Sequence, residues 1–175
     1  SIPYIEQVKP SVKLGLSLFI GFEGTHLTRQ LRELIESCHI GGVVLFSRNY
    51  ESPSQLRTLC LDLQEVARQN PPNLPMVICV DQEGGRVNRF AEPFTHFPSP
   101  FVLGKVSDPN LVFEVGLAAA KELSAAGINT NLAPVLDLRT NRKNQVIADR
   151  SFGEDPEVVS LMGNAYIKGL KAGEV

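Results

Sequence analysis

The chain of 175 residues is long enough for a domain with its own hydrophobic core, and 43% hydrophobic and 21% charged residues are typical of a globular protein. The net charge is −2 and the basic residues are scattered, so we expect neither a nucleic-acid partner nor a membrane partner. Three cysteines, an odd number, argue against a disulfide framework. The first residues show no signal-peptide pattern, which predicts a cytoplasmic protein, although a signal segment already removed would leave no trace.

Four apolar runs with strand character alternate along the chain with four amphipathic runs that have helical spacing. The predicted strands are Val12 to Ile20, Gly42 to Phe46, Met76 to Val80 and Thr130 to Leu138. The apolar stripes of the predicted helices lie within residues 27–38, 56–66, 112–123 and 158–165. Strands that alternate with helices, without hairpin signals, indicate βα units and a parallel sheet.

Capping signals mark the starts of three predicted helices. Ser52 precedes a proline and has Gln55 placed to complete a capping box, and Asp108 and Asp155 each precede a proline. Gly127 marks the end of the third helix.

A doubly wound sheet and a (β/α)₈ barrel both begin with such units. The first predicted strand is followed by Gly21-Phe22-Glu23-Gly24 rather than by a Gly-x-Gly-x-x-Gly motif, which disfavours a nucleotide-binding sheet. A complete barrel needs about 250 residues, so four βα units would be about half of one.

The most informative run extends from Met76 to Val87, where an apolar strand ends abruptly in two acids, two glycines and an arginine. Parallel α/β folds place their chemistry at the carboxyl ends of strands. An acid that ends a buried strand is costly without a partner, so Asp81 is a candidate site residue. Three more polar segments would share this edge, namely Ser47–Tyr50, Asp137 and residues 148–155. Carboxylates and arginines together suit a polyhydroxylated ligand.

Some of these charges have a purely structural alternative, in which Arg150 pairs with Asp149 or Asp155 and orders the loop 139–155. We favour a structural role for Asp149, Glu154 and Asp155, the last of which already caps a predicted helix. The histidines show no ligand spacing and the serines lack a nucleophile-elbow context, so we expect no metal site and no hydrolase triad.

Four blocks of sequence, residues 41–50, 80–89, 132–137 and 149–156, together resemble glycoside hydrolase family 3. Within that family they are similar to the bacterial β-N-acetylhexosaminidase (β-N-acetylglucosaminidase) branch, which trims cell-wall muropeptides. The blocks occur in the family's order and cover nearly the whole chain. Asn88 and Ala148 depart from the pattern, which usually has glutamine and glycine at these positions.

The resemblance implies a (β/α)₈ TIM barrel, with residues 1–175 forming the N-terminal portion of a single family 3 domain and about its first four βα units. It implies that Asp81 binds hydroxyls of a terminal N-acetylglucosamine with Arg150 as its companion and Arg89 as a third contributor. Asp137 either binds the sugar or supports the rim. It places the nucleophilic aspartate and the acid/base histidine after Val175, so we expect no catalytic group in this chain, no activity from this chain alone, and no cofactor.

The function that the resemblance implies is exo-acting release of terminal N-acetylglucosamine by a retaining mechanism, in cell-wall (peptidoglycan) recycling. Two alternatives stay open, a family 3 β-glucosidase or β-xylosidase and a non-catalytic sugar-binding half-barrel. The run from Asp81 to Val87 favours the acetylhexosaminidase. Because half a barrel would leave the edges of strands one and four free, we expect this chain either to self-associate or to pair with a missing C-terminal half.

Overall fold

The computed structural model describes residues 7–175, and its helices and strands alternate along the chain. The first six residues, where we expected no signal peptide, lie outside the described residues. The chain divides into two compact units, with the boundary between Cys79 and Val80. No helix within residues 7–175 is long and apolar enough to cross a membrane.

The first unit consists of short strands and the helices that follow them. Its elements are α1 (Pro10–Leu16), β1 (Phe19–Ile20), α2 (Arg29–Cys38), β2 (Gly42–Leu45), a 3₁₀ turn (Ser47–Asn49), α3 (Pro53–Gln69) and β3 (Val77–Val80), which crosses into the second unit. β1 and β2 are parallel, and β3 follows β2 in the sheet. The core of this unit is aliphatic, with Val43, Leu45, Leu56, Leu63 and Ile78 fully buried.

The predicted strand from Val12 to Ile20 is wrong over most of its length, because residues 10–16 form α1 and only Phe19 and Ile20 are in a strand. The prediction rests on the apolar character of this run. Pro10 is the competing signal, since its fixed φ suits the first turn of a helix.

The second unit is dominated by two long helices that pack on each other. Its further elements are α4 (Pro100–Val106), α5 (Pro109–Ala125), β4 (Thr130–Asn131), a 3₁₀ turn (Ala148–Arg150) and α6 (Pro156–Ala172). A core cluster joins α4, α5 and α6 through Leu103, Val112, Met162 and Tyr166, together with Phe152. β4 lies next to the end of β3.

The predicted strand from Thr130 to Leu138 is also wrong beyond Asn131. Leu132 still donates a backbone hydrogen bond to the Val80 carbonyl at 2.8 Å, but the chain then leaves the ladder. Pro134 has no N–H to donate, which explains why the ladder cannot continue there. The free edge predicted from residues 132–138 is therefore an irregular segment in which Leu136 and Leu138 are exposed.

The predicted helix starts are confirmed. The side chains of Ser52, Asp108 and Asp155 each accept a hydrogen bond from a backbone N–H in the first turn. The capping box at Ser52 is wrong in one detail, because the Gln55 side chain accepts from the N–H of Glu51 instead of Ser52. The sequence reading missed α4, although Ser99 and Pro100 show the same cap-then-proline signal.

Candidate functional site

The loop after β3 is a tight turn built on two glycines. Gly84 and Gly85 have φ of 88° and 57°, in the left-handed region that favours glycine. The turn closes because the Glu83 N–H donates to the Val87 carbonyl at 3.0 Å. The hydrogen bond closes the turn just after Asp81 and Gln82, so it helps to fix the backbone from which the acidic side chains project.

Asp81 and Arg89 form an ion pair across this loop, with Nη2 to Oδ2 at 2.9 Å. Both side chains are half-buried. The backbone N–H of Arg89 donates to the Gln82 side-chain carbonyl at 2.8 Å, so both ends of Arg89 are attached to the start of the loop. Two residues that the sequence assigned to the same site are thus in direct contact.

The backbone of Gln82 is held by two hydrogen bonds to the Asn131 side chain. The Asn131 side chain accepts from the Gln82 N–H at 3.0 Å and donates to the Gln82 carbonyl at 2.9 Å, in the manner of a neighbouring strand. Both residues are buried. Sequence reasoning missed Gln82 and Asn131, and the only available signal was a polar residue ending an otherwise apolar strand.

Arg150 pairs with Glu83, and its role beside Asp81 in binding the sugar stays a prediction. Its Nε donates to Oε2 at 2.9 Å and its Nη2 donates to Oε1 at 2.8 Å. The Glu83 hydrogen bond raises the pKa of Arg150, and the charges of Asp81 and Asp137 act in the same direction. Burial raises the pKa of Tyr166 to about 12, and the charge of Glu83 adds to that shift.

The structural alternative for Arg150, a pairing with Asp149 or Asp155, is wrong. Asp149 instead accepts from Arg86 at 2.7 Å, and Asp155 caps α6. Arg86 also donates to the carbonyls of Gln145 and Val146 at 2.9 and 2.7 Å. Two arginines therefore join these loops: Arg86 in the loop after β3 bonds to the loop 139–155, and Arg150 in the loop 139–155 bonds to Glu83.

Asp137 contacts the loop before α6 through its backbone carbonyl. Its carbonyl accepts from the buried Ser151 hydroxyl at 2.6 Å, and the residue itself is exposed. A role of its carboxylate in sugar binding stays a prediction. Ala148 has φ of 41°, a conformation that favours glycine, and glycine is the residue that the family pattern usually has there.

The segment from Ser47 to Tyr50 belongs to the first unit and has its own contacts there. Arg48 pairs with Glu23 at 3.0 Å, and the buried Asn49 donates to the carbonyls of Phe22 and Gly24 at 3.1 and 2.8 Å. Its place on a shared rim stays a prediction. Among the residues described, no group of three or more His, Cys, Asp or Glu side chains could hold a metal ion.

Carboxylates and arginines together in the loops of an α/β fold suit a protein that binds a polyhydroxylated ligand. The family is identified by the similarity of the chain to known proteins. Residues 7–175 match the N-terminal domain of glycosyl hydrolase family 3, and the chain belongs to this family. The fold is the TIM-barrel α/β fold of that domain, as predicted, and residues 7–175 form four of its parallel strands.

Curated relatives include two proteins named beta-hexosaminidase. The protein from Alkalilimnicola ehrlichii is 41% identical over 160 residues, covering 88% of this chain and 44% of that protein. The protein from Nitrosomonas eutropha is 40% identical over 161 residues, covering 89% of this chain and 44% of that protein. The chain thus spans less than half the length of these relatives.

Two solved structures extend the likeness to three dimensions. A family 3 β-N-acetylglucosaminidase from Paenibacillus sp. FPU-7 has a TM-score of 0.91 at 36% identity, over 95% of this chain and 31% of that one. NagZ from Neisseria gonorrhoeae, in complex with N-trifluoroacetyl-D-glucosamine, has a TM-score of 0.81 at 36% identity, over 89% of this chain and 46% of that one.

Proposed function

We propose that the whole protein to which this chain belongs is an exo-acting β-N-acetylhexosaminidase that releases terminal N-acetylglucosamine. The observation that carries the proposal is the likeness of nearly the whole chain to proteins named beta-hexosaminidase and β-N-acetylglucosaminidase. We also propose cell-wall muropeptides as the source of the substrate and the cytoplasm as the place of action.

In this proposal the chain binds one side of the terminal sugar. Asp81 accepts hydrogen bonds from sugar hydroxyls, while Arg89 and Arg150 donate to sugar oxygens, and charge-assisted bonds of this kind are short and strong. Asp137, which follows β4, adds a further carboxylate. The Asp81–Arg89 and Glu83–Arg150 pairs support this arrangement, because they orient the arginines before a ligand arrives.

The reacting groups come from elsewhere in the whole protein. A retaining glycosidase needs a carboxylate nucleophile and an acid/base group, and the family resemblance assigns both to residues after Val175. We further propose that the exposed Leu136 and Leu138 are covered by the rest of the protein or by a second copy. Light scattering of the isolated chain over a concentration series tests this, and a non-associating folded monomer would contradict it.

The proposed function is tested with the full-length protein and three nitrophenyl glycosides, the N-acetyl-β-glucosaminide, the β-glucoside and the β-xyloside. We expect turnover of the first and little of the other two, and no turnover of any by the isolated 175-residue chain. Preference for the glucoside or the xyloside would identify the rival glycosidase. Binding of N-acetylglucosamine without hydrolysis of any substrate would identify a sugar-binding module.

A further inference from the structure

Glu83 is an unusual acid, because only 2% of its side chain is exposed. Carboxylates are almost never buried to this degree unless they are paired. Both of its oxygens accept hydrogen bonds from Arg150, a residue 67 positions away in the sequence. The burial of Glu83 is therefore tied to the placement of a single guanidinium group.

The contacts of Arg150 leave one part of its guanidinium group available. Nε and Nη2 donate to Glu83, and Nη1 donates to the Val146 carbonyl at 3.2 Å. An arginine has five N–H donors, so two of them, one on each terminal nitrogen, have no partner within residues 7–175. Those two donors can bond to two oxygens of one ligand, and the side chain is 24% exposed, so a ligand can reach them.

The backbone under Glu83 cannot easily shift. Its own N–H is bonded to Val87 at 3.0 Å, and Asn131 holds both backbone polar groups of the preceding Gln82. The Glu83 carboxylate is thus presented from a rigid base, which is what a group needs in order to fix the orientation of a neighbour.

Two other carboxylates compete for Arg150. Asp81 and Asp137 both act on its charge, although neither is bonded to it. Asp81 is already paired with Arg89, so if Arg150 also turned toward Asp81, both arginines proposed to bind the sugar would lie on one carboxylate. Glu83 prevents this because it offers two acceptors in the geometry that a guanidinium fork prefers.

We propose that Glu83 is a positioning residue, which holds Nε and Nη2 of Arg150 and so directs the remaining two donors toward the sugar. This inference rests on the proposed function and deepens it. Glu83 itself touches no substrate and acts only through Arg150.

The test uses the full-length protein and compares Glu83→Gln with Glu154→Gln. The control variant removes the bidentate pair between Arg142 and Glu154, both of which lie in the loop 139–155 that also contains Arg150. With the nitrophenyl N-acetylglucosaminide, we expect Glu83→Gln to lower kcat/KM by about 10-fold to 100-fold and the control to leave it unchanged. The inhibition constant of free N-acetylglucosamine rises in the Glu83 variant only.

A double-mutant cycle separates positioning from a merely structural effect. If Glu83 acts through Arg150, then Glu83→Gln causes no further loss of kcat/KM in an Arg150→Ala background. A structural effect would lower kcat/KM by the same factor in both backgrounds. Glu83→Asp keeps the negative charge on a shorter side chain, and we expect an intermediate loss of kcat/KM. If the glutamine variant does not fold, Glu83→Asp replaces it in the double-mutant cycle with Arg150→Ala.

The outcomes distinguish this inference from the proposed function. A full-length wild-type protein without turnover overturns the proposed function and the inference together. Wild-type turnover with an unchanged Glu83→Gln variant, or with equal losses in both backgrounds, overturns the inference alone.

Discussion

Two Arg–Glu pairs involve the loop 139–155, and they differ in burial rather than in geometry. In each, Nε and Nη2 of the arginine meet both carboxylate oxygens, at 2.9 and 2.8 Å for Arg150 with Glu83 and at 2.9 and 3.3 Å for Arg142 with Glu154. The side chains of the first pair are 24% and 2% exposed, and those of the second 78% and 46%.

The difference shows that a short bidentate ion pair does not by itself indicate a functional group. An exposed pair contributes little to stability, because water and salt screen it, whereas removing one partner of a buried pair leaves an uncompensated charge. The hydrogen bond between Arg142 and Glu154 raises the pKa of the arginine and lowers that of the acid, yet both lie in water. Of these two pairs, only Arg150 with Glu83 joins the loop 139–155 to the loop that contains Asp81.

The largest effect is expected on catalysis. In the full-length protein, Arg150→Ala and Asp81→Ala should each raise the barrier measured by kcat/KM by about 3 kcal/mol or more, because each removes a charge-assisted hydrogen bond to the sugar. Arg142→Ala should leave kcat/KM unchanged. Steady-state kinetics with the nitrophenyl substrate measure all three, and a similar loss in all three would remove the distinction between the two pairs.

A smaller effect is expected on stability. Arg150→Ala leaves the buried Glu83 without its partner, and we expect unfolding to become easier by about 2 kcal/mol, below the value for a fully buried pair because Arg150 is partly exposed. Arg142→Ala, which removes an exposed partner, should not shift the denaturation midpoint. Urea denaturation of the full-length variants checks this, and equal midpoints for both would show that burial of Glu83 carries no penalty.

The smallest effect concerns Tyr166, whose pKa is raised by burial and by Glu83. Above pH 10 the unfolded chain loses this phenolic proton while the folded chain retains it, so stability falls until the pH passes about 12. Tyr166→Phe removes this loss, worth about 1 kcal/mol midway through the range. Denaturation midpoints at neutral and alkaline pH measure it, and parallel pH profiles for wild type and variant would contradict a buried, neutral Tyr166.

Much of the fold could be predicted from local signals. The cap-then-proline pairs at Ser52, Asp108 and Asp155 mark real helix starts, because each cap satisfies N–H groups of its own first turn. The two wrong strands failed for a related reason. Pro10 starts a helix and Pro134 cannot extend a ladder, and an apolar run alone contains neither constraint.

The sequence predicts which residues form the candidate site, but it does not predict which side chains pair with each other there. Asp81, Arg89 and Arg150 follow strands or lie in the loop before a helix, and that placement could be derived. The partner of Arg150 depends on which acid is buried within its reach, and Glu83 and Arg150 are 67 positions apart. Gln82 and Asn131 gave even less signal, because a buried amide pair has no characteristic spacing.

The most direct test of the account is a crystal structure of the full-length protein with N-acetylglucosamine bound. We predict sugar oxygens within hydrogen-bond distance of the Asp81 carboxylate and of the two free donors of Arg150. Nε and Nη2 of Arg150 should remain on Glu83. A sugar that contacts neither Asp81 nor Arg150, or an Arg150 that has left Glu83 to meet it, would contradict the account.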